Sequence, residues 1–213
     1  MSPLNTARWN LLGLGRWPGK LRNDLARIRS FEDAQAEGRA QLSALEIMTI
    51  VLEDRRFFHH FGVDLVSVLR EVSRALSFRK HGGASTIDMQ FVRTATGFRQ
   101  HTIGRKLYEA VLAIALQFHC GKRAILRSYL ACAFFGSGLI GADAAAHKVF
   151  GKNADGLDLE EASFIAAMLA APRPLHASPQ WEAKVRRRAA YALSIYAARR
   201  EQLSGRYHVS FGN

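Results

Sequence analysis

Two capping boxes constrain this chain more than any other feature. At Ser43-Ala44-Leu45-Glu46 a hydroxyl and a carboxylate, three residues apart, can satisfy the exposed backbone N–H groups of a helix start, and an apolar run from Leu45 to Leu52 follows at once. Asp158-Leu159-Glu160-Glu161 repeats the signal, and the helix it opens must end by Pro172. Leu65, Leu69, Val72 and Leu76 recur at helical spacing among Arg70, Arg74, Arg79 and Lys80, and the stretch from His81 to Thr86 breaks that helix. A third helix is predicted from about Thr102 to His119, with Leu107, Val111, Ile114 and Phe118 as its apolar stripe and Gly121 as its C-cap. Ile125, Leu126, Tyr129 and Leu130 mark another. Ser178-Pro179 opens the last, which is expected to reach about Gly205. Strand signals are sparse, so the expected fold is mainly α with short irregular or β pieces.

With 213 residues the chain suits one domain. Residues 1–40 read as a basic lead segment, 41–205 as the folded domain and 206–213 as a tail. Thirty Lys and Arg against eighteen Asp and Glu give a net charge of +12, which calls for an anionic partner: nucleic acid, anionic lipid or a phosphorylated substrate. No segment reaches the roughly 18 apolar residues of a membrane span. Cys120 and Cys132 sit in apolar helical stretches and read as buried free thiols, and no residue is assigned as a metal ligand.

Three clusters carry chemistry. The first runs from Glu53 to Asp64 and puts a carboxylate at a helix end beside Phe57, Phe58 and Phe61, with His60 close by. Apolar neighbours suit a general base, although a solvated Glu53 paired with Arg56 is an equally available reading. The second, from Gly82 to Gln90 with Arg93 beyond it, offers backbone N–H groups and the Ser85 and Thr86 hydroxyls to phosphate or sugar oxygens. The third, Arg105-Lys106-Leu107-Tyr108-Glu109, sets two cations beside a carboxylate on the side away from the Leu107 stripe; the alternative there is a solvated i,i+4 pair. Between Arg79 and Lys106 lie six Lys and Arg and one acid, Asp88, a balance suited to a leaving pyrophosphate.

In this order the clusters resemble the motifs of glycosyltransferase family 51, the peptidoglycan glycosyltransferases, which include the polymerising domain of class A penicillin-binding proteins and the monofunctional glycosyltransferases. Glu53, Asp54, Phe57, His60, Gly62 and Asp64 match the first motif, and Gly83, Ala84, Ser85, Thr86, Ile87 and Gln90 the second. Arg105, Lys106 and Glu109 match the third. Lys122, Ile125, Leu126, Tyr129 and Leu130 match a fourth. Phe150, Gly151, Lys152, Leu159, Glu161 or Glu160, Ala162, Ala171 and Pro172 match a fifth.

The resemblance implies a lysozyme-like helical lobe with a small membrane-proximal jaw lobe. It implies a glycan on undecaprenyl pyrophosphate as donor, lipid II as acceptor and a β-1,4 bond formed with inversion. By the same resemblance Glu53 is the general base, and Glu109 lies near the donor pyrophosphate and any Mg or Mn ion bound there. Substrate contacts are expected from Asp54, Phe57, His60, Gly83, Ser85, Thr86, Gln90, Arg93, Arg99, His101, Arg105 and Lys106. The expected place is the outer face of a bacterial cytoplasmic membrane, held peripherally at the anionic surface, with no transpeptidase domain after residue 205.

Five positions depart from the family pattern. Arg93 stands for a usual Lys, His101 for a usual Arg, Asp88 for a common Thr, and Arg127 with Ala131 for an acid and an Asn. These departures keep open a second reading, a member that binds lipid-linked precursor without efficient turnover. A nucleic-acid binder has only net charge in its favour. A lysozyme-like hydrolase would not need the Arg-Lys helix for a neutral glycan.

Overall fold

The computed structural model describes residues 19–33, 41–76, 85–97 and 102–207. Its elements are α1 (Gly19–Asp33), α2 (Ala44–Glu53), a 3-10 turn (Phe57–His59), α3 (Leu65–Leu76), α4 (Ile87–Thr96), α5 (Ile103–Gln117), α6 (Lys122–Cys132), β1 (Phe134–Gly136), β2 (Leu139–Ile140), α7 (Ala142–Phe150), a second 3-10 turn (Ala154–Gly156), α8 (Leu159–Met168) and α9 (Pro179–Tyr207). The fold is mainly helical, as the periodicity predicts, and consistent with the lysozyme-like class. β1 and β2 form one antiparallel hairpin with Phe134 opposite Ile140.

Both capping boxes close as the sequence requires. Ser43 accepts from the Glu46 N–H at 3.2 Å while Glu46 accepts from the Ser43 N–H at 2.7 Å. Asp158 and Glu161 repeat the exchange, and Lys152 Nζ adds an ion pair to Glu161 at 2.7 Å. Glu161, rather than Glu160, is therefore the acid that fixes this helix start.

The core forms around α8, whose residues from Ala162 to Met168 are all buried, so this helix is apolar on every side and packs against both α2 and α9. α4 packs on α5 and α6. α1 lies against α4 and α6 through buried Leu25 and Ile28, which draws residues 19–33 into the folded body.

Two expectations need correction. Gly121 does not close α5: that helix ends at Gln117 with Phe118 as its C-cap, and Gly121, at φ −70°, is instead the N-cap of α6. The predicted apolar stripe of α5 faces outward, with Leu107 64% exposed and Val111, Ile114 and Phe118 exposed as well. Glu109, Leu112, Ala113 and Leu116 point inward instead. The helix is apolar on two faces, and periodicity alone cannot choose which one the rest of the chain covers.

Gly62 shows why a motif position must be glycine. It sits at φ +78°, and a Cβ there would lie 2.6 Å from the Ala113 carbonyl carbon of α5. Its own carbonyl accepts from Thr86 Oγ1 at 2.6 Å, tying the loop before α3 to the start of α4. Gly62→Ala is expected to cost at least about 1–3 kcal/mol through backbone strain alone, before the clash is relieved. Urea unfolding of the two proteins measures it.

Candidate active site

Glu53 ends α2, and two other elements bond its carboxylate while a third holds one of them in place. Arg188, from α9, donates from Nη2 to Oε1 at 2.8 Å. Gln90, from α4, donates from Nε2 to Oε2 at 3.2 Å. Tyr129, from α6, donates its hydroxyl to Gln90 Oε1 at 2.7 Å. Burial pushes the Tyr129 phenol well above its ordinary range, with the Glu53 charge adding to the effect, so its hydroxyl keeps its proton. That proton needs an acceptor, which turns the Gln90 carbonyl toward Tyr129 and its amide toward Glu53. The Glu53 side chain remains 13% exposed, open to a ligand on one side.

One turn along α4 from Gln90, Arg93 reaches the second glutamate. Arg93 Nε lies 3.4 Å from Glu109 Oε1, and Arg105 Nη1 donates to the same oxygen from one turn earlier on α5. Glu109 is 0% exposed. Burial raises its carboxyl above the usual range, opposed by the charges of Arg93 and then Arg105. Among the described residues Glu109 Oε2 has no hydrogen-bond partner, and the Arg93 and Arg105 Nε groups have none either. Buried polar atoms left open in this way mark a place where a ligand can complete the bonding. Gln90 and Arg93, three residues apart on one face of α4, thus link the two carboxylates.

Behind the site lies a buried polar cluster. Asp54 Oδ2 accepts from His60 Nε2 at 2.9 Å and from the Ile87 N–H, the first of α4, at 3.1 Å. Asp88, fully buried, accepts from Lys122 Nζ at 2.8 Å and from Gln117 Nε2. Lys122 Nζ also lies 3.4 Å from His60 Nδ1 and 4.5 Å from the centre of the Phe57 ring. Asp54, His60 and Asp88 offer ligand atoms within 4.8 Å of one another, which makes them a possible metal triad. The residues do not fit that use. Backbone and side-chain donors already occupy Asp54 Oδ2 and both Asp88 oxygens.

These placements sort the residues expected at the site. Glu53, Gln90, Arg93, Arg105 and Glu109 come together on α2, α4 and α5. Asp54, Phe57 and Thr86 are buried, and the His60 side chain is nearly so. Thr86 uses its hydroxyl to cap α4 and to bond the Gly62 carbonyl, and Asp54 joins His60 to the first N–H of α4. Ser85 is half-buried and Lys106 exposed. Gly83, Arg99 and His101 lie outside the described residues. Arg188 escaped sequence reasoning. In the run Arg186-Arg187-Arg188 it looks like any solvated cation, and only the docking of α9 against α2 sets it apart.

Comparison with known proteins follows the same lines. The family model described as Transglycosylase matches residues 29–196. The "Biosynthetic peptidoglycan transglycosylase" of Vibrio parahaemolyticus is 32% identical over 175 residues, 80% of this chain and 78% of that protein. Its namesake from Shewanella denitrificans is 34% identical over 146 residues, 67% of this chain and 64% of that protein. "Penicillin-binding protein 1A" of Aquifex aeolicus is 39% identical over 124 residues, 58% of this chain but only 17% of that much longer protein.

Proposed function

The chain belongs to the transglycosylase family, and on that premise we propose that it polymerises lipid II into β-1,4-linked glycan strands, releasing undecaprenyl pyrophosphate. The observation that carries this reading is the pair of glutamates joined by one face of α4. One is clamped and partly open; the other is buried between two guanidinium groups. Glu53 takes the proton of the acceptor 4-hydroxyl as its oxygen attacks the donor anomeric carbon from the face opposite the pyrophosphate. The bond from that carbon to the pyrophosphate oxygen breaks, with inversion. The departing charge is met by Arg93 and Arg105, cations held in place at Glu109. Lys106, exposed beside them, adds to the field.

A divalent cation, Mg or Mn, at the donor pyrophosphate would take Glu109 Oε2, an oxygen without a hydrogen-bond partner among the described residues. One carboxylate plus phosphate oxygens is an ordinary set for such an ion, which would supply further charge neutralisation. The arrangement also argues against a member that binds without turnover. Asp88 turns inward to Lys122, and Arg127 pairs with Glu46 at 2.7 Å, so neither departure places a new charge at the two glutamates. Incubation with labelled lipid II tests the reading: ladders of lengthening glycan support it, and intact lipid II alone overturns it.

The lipid-linked substrate places the work at the outer face of a bacterial cytoplasmic membrane. No helix among the described residues is long and apolar enough to cross one. Phe61, Leu65, Val66 and Leu69 on one side and Ile103, Leu107, Val111 and Phe118 on the other are exposed, joined where the Phe61 and Phe118 rings meet edge to face at 5.0 Å. We assign this face to the jaw and to a peripheral seat in the bilayer surface. Phe57, in the same loop, is buried in the core, and Phe58 is packed against the core. The exposed Arg70 and Lys106 are available to anionic headgroups, at about 1 kcal/mol each.

Vesicles rich in anionic lipid are expected to retain the protein at low salt and, in part, at high salt, because the apolar contribution is not screened. Leu65→Ser with Leu69→Ser lowers retention at both. Indifference to vesicles at every ionic strength would overturn the seat.

A further inference from the structure

Arg188 lies far in sequence from every cluster that carries the proposed chemistry, yet its bond to Glu53, at 2.8 Å, is shorter than that of Gln90, at 3.2 Å. Its Nη2 is 2.8 Å from Oε1 and 3.5 Å from the Leu52 carbonyl, so the guanidinium spans the last turn of α2. The neighbouring rim repeats the connection: Arg55 Nη2 donates to the Tyr191 hydroxyl at 2.6 Å, Arg55 lying two residues after Glu53 and Tyr191 three after Arg188. α9 is thereby pinned to the segment carrying Glu53 at two successive points, beside the buried packing of Val185, Ala189 and Ala192.

We propose that Arg188 is a positioning residue for Glu53: with Gln90 on the other oxygen, it fixes the carboxylate in the one orientation from which the acceptor hydroxyl can be reached. This rests on the polymerase reading above and adds a residue from α9 to it.

The chemistry explains why both clamps are needed. A glutamate side chain has three rotatable bonds and, held by one hydrogen bond, can swing about it. Held at Oε1 by a guanidinium and at Oε2 by an amide, it cannot. Each oxygen still keeps a free lone pair, so a proton can be received without breaking the clamp. Gln90 is itself locked by Tyr129, and Arg188 by the Leu52 carbonyl and by α9 packing. The clamps thus come from α4 and α9, two elements held apart in sequence by 98 residues (188 − 90).

The test compares wild type, Arg188→Gln, Arg188→Lys, Glu53→Gln and the Glu53→Gln/Arg188→Gln double variant in lipid II polymerisation, with thermal unfolding of each. Misplacement of a reacting group by about 1 Å can cost about a hundredfold in rate. Arg188→Gln is expected to lower kcat by roughly ten- to a hundredfold with KM for lipid II little changed. Arg188→Lys, which keeps one charged donor, recovers most of that loss. In the Glu53→Gln background the Arg188→Gln change has no further effect, because it acts through the carboxylate that is already gone.

An Arg188→Gln variant that turns over within about twofold of wild type overturns the proposal, as does an equal fractional loss in both backgrounds. A fall in rate that follows only the unfolded fraction, unrelieved by lysine, also overturns it. Failure of the wild type to make any glycan removes the reaction itself, and this outcome is distinct from an active wild type with an indifferent Arg188.

Discussion

Glu53→Gln is expected to lower lipid II polymerisation by about 10²–10⁴-fold while leaving a folded protein, the usual cost of losing a general base. The exchange keeps the size and shape of the side chain but removes its capacity to receive a proton. Its effect on stability is small for reasons visible in the site. The new amide can turn its oxygen to Arg188 and still accept there. It then faces Gln90 with an NH₂ group, donor against donor, and Gln90 resists turning because Tyr129 holds its carbonyl. One mismatched contact at a partly open position costs little beside the catalytic loss. Glycan length on gels, read beside the thermal unfolding curve, separates the two effects. Retention of most of the activity would mean that another group takes the proton.

Asp88→Asn and Lys122→Met are each expected to destabilise the fold by about 3–5 kcal/mol, and the double variant Asp88→Thr/Lys122→Met by clearly less than their sum. The reason is the setting. Burial raises the Asp88 carboxyl above the ordinary range and lowers the Lys122 ammonium below it, and each holds the other charged. Removing one partner strands the other beside Phe57 and His60, where only a weaker partner remains. Removing both leaves a pocket that apolar and hydroxyl groups can fill. With total stability typically about 5–15 kcal/mol, either single change is expected to be evident in denaturant unfolding. Strict additivity of the two losses would show that the pair does not couple.

Some of this was legible before any coordinates. Local chemistry determines local structure, so Ser43 and Asp158 mark helix starts, Pro179 opens the last helix, and the order of acid, glycine and arginine motifs points to two glutamates and a phosphate site. Contacts within about four residues decide those helix starts, and the sequence displays such contacts directly.

What required the tertiary structure is where each face points. α5 carries apolar residues on two sides, and only the packing of α4 beside it decides that Glu109 is buried and Leu107 exposed. The hydroxyl of Thr86 reads in the sequence as a group for phosphate or sugar oxygens, and its bond to the Gly62 carbonyl at 2.6 Å is seen only in the fold. Asp88 looks like an intrusive charge near the substrate until Lys122, 34 residues on, is seen to neutralise it. Arg188 acquires a partner only when α8 brings α9 against α2, joining residues 135 positions apart. The physical reason is common to all four. The free energy of a charged or apolar group depends on what surrounds it in space, and for a buried group most of that surrounding comes from distant parts of the chain.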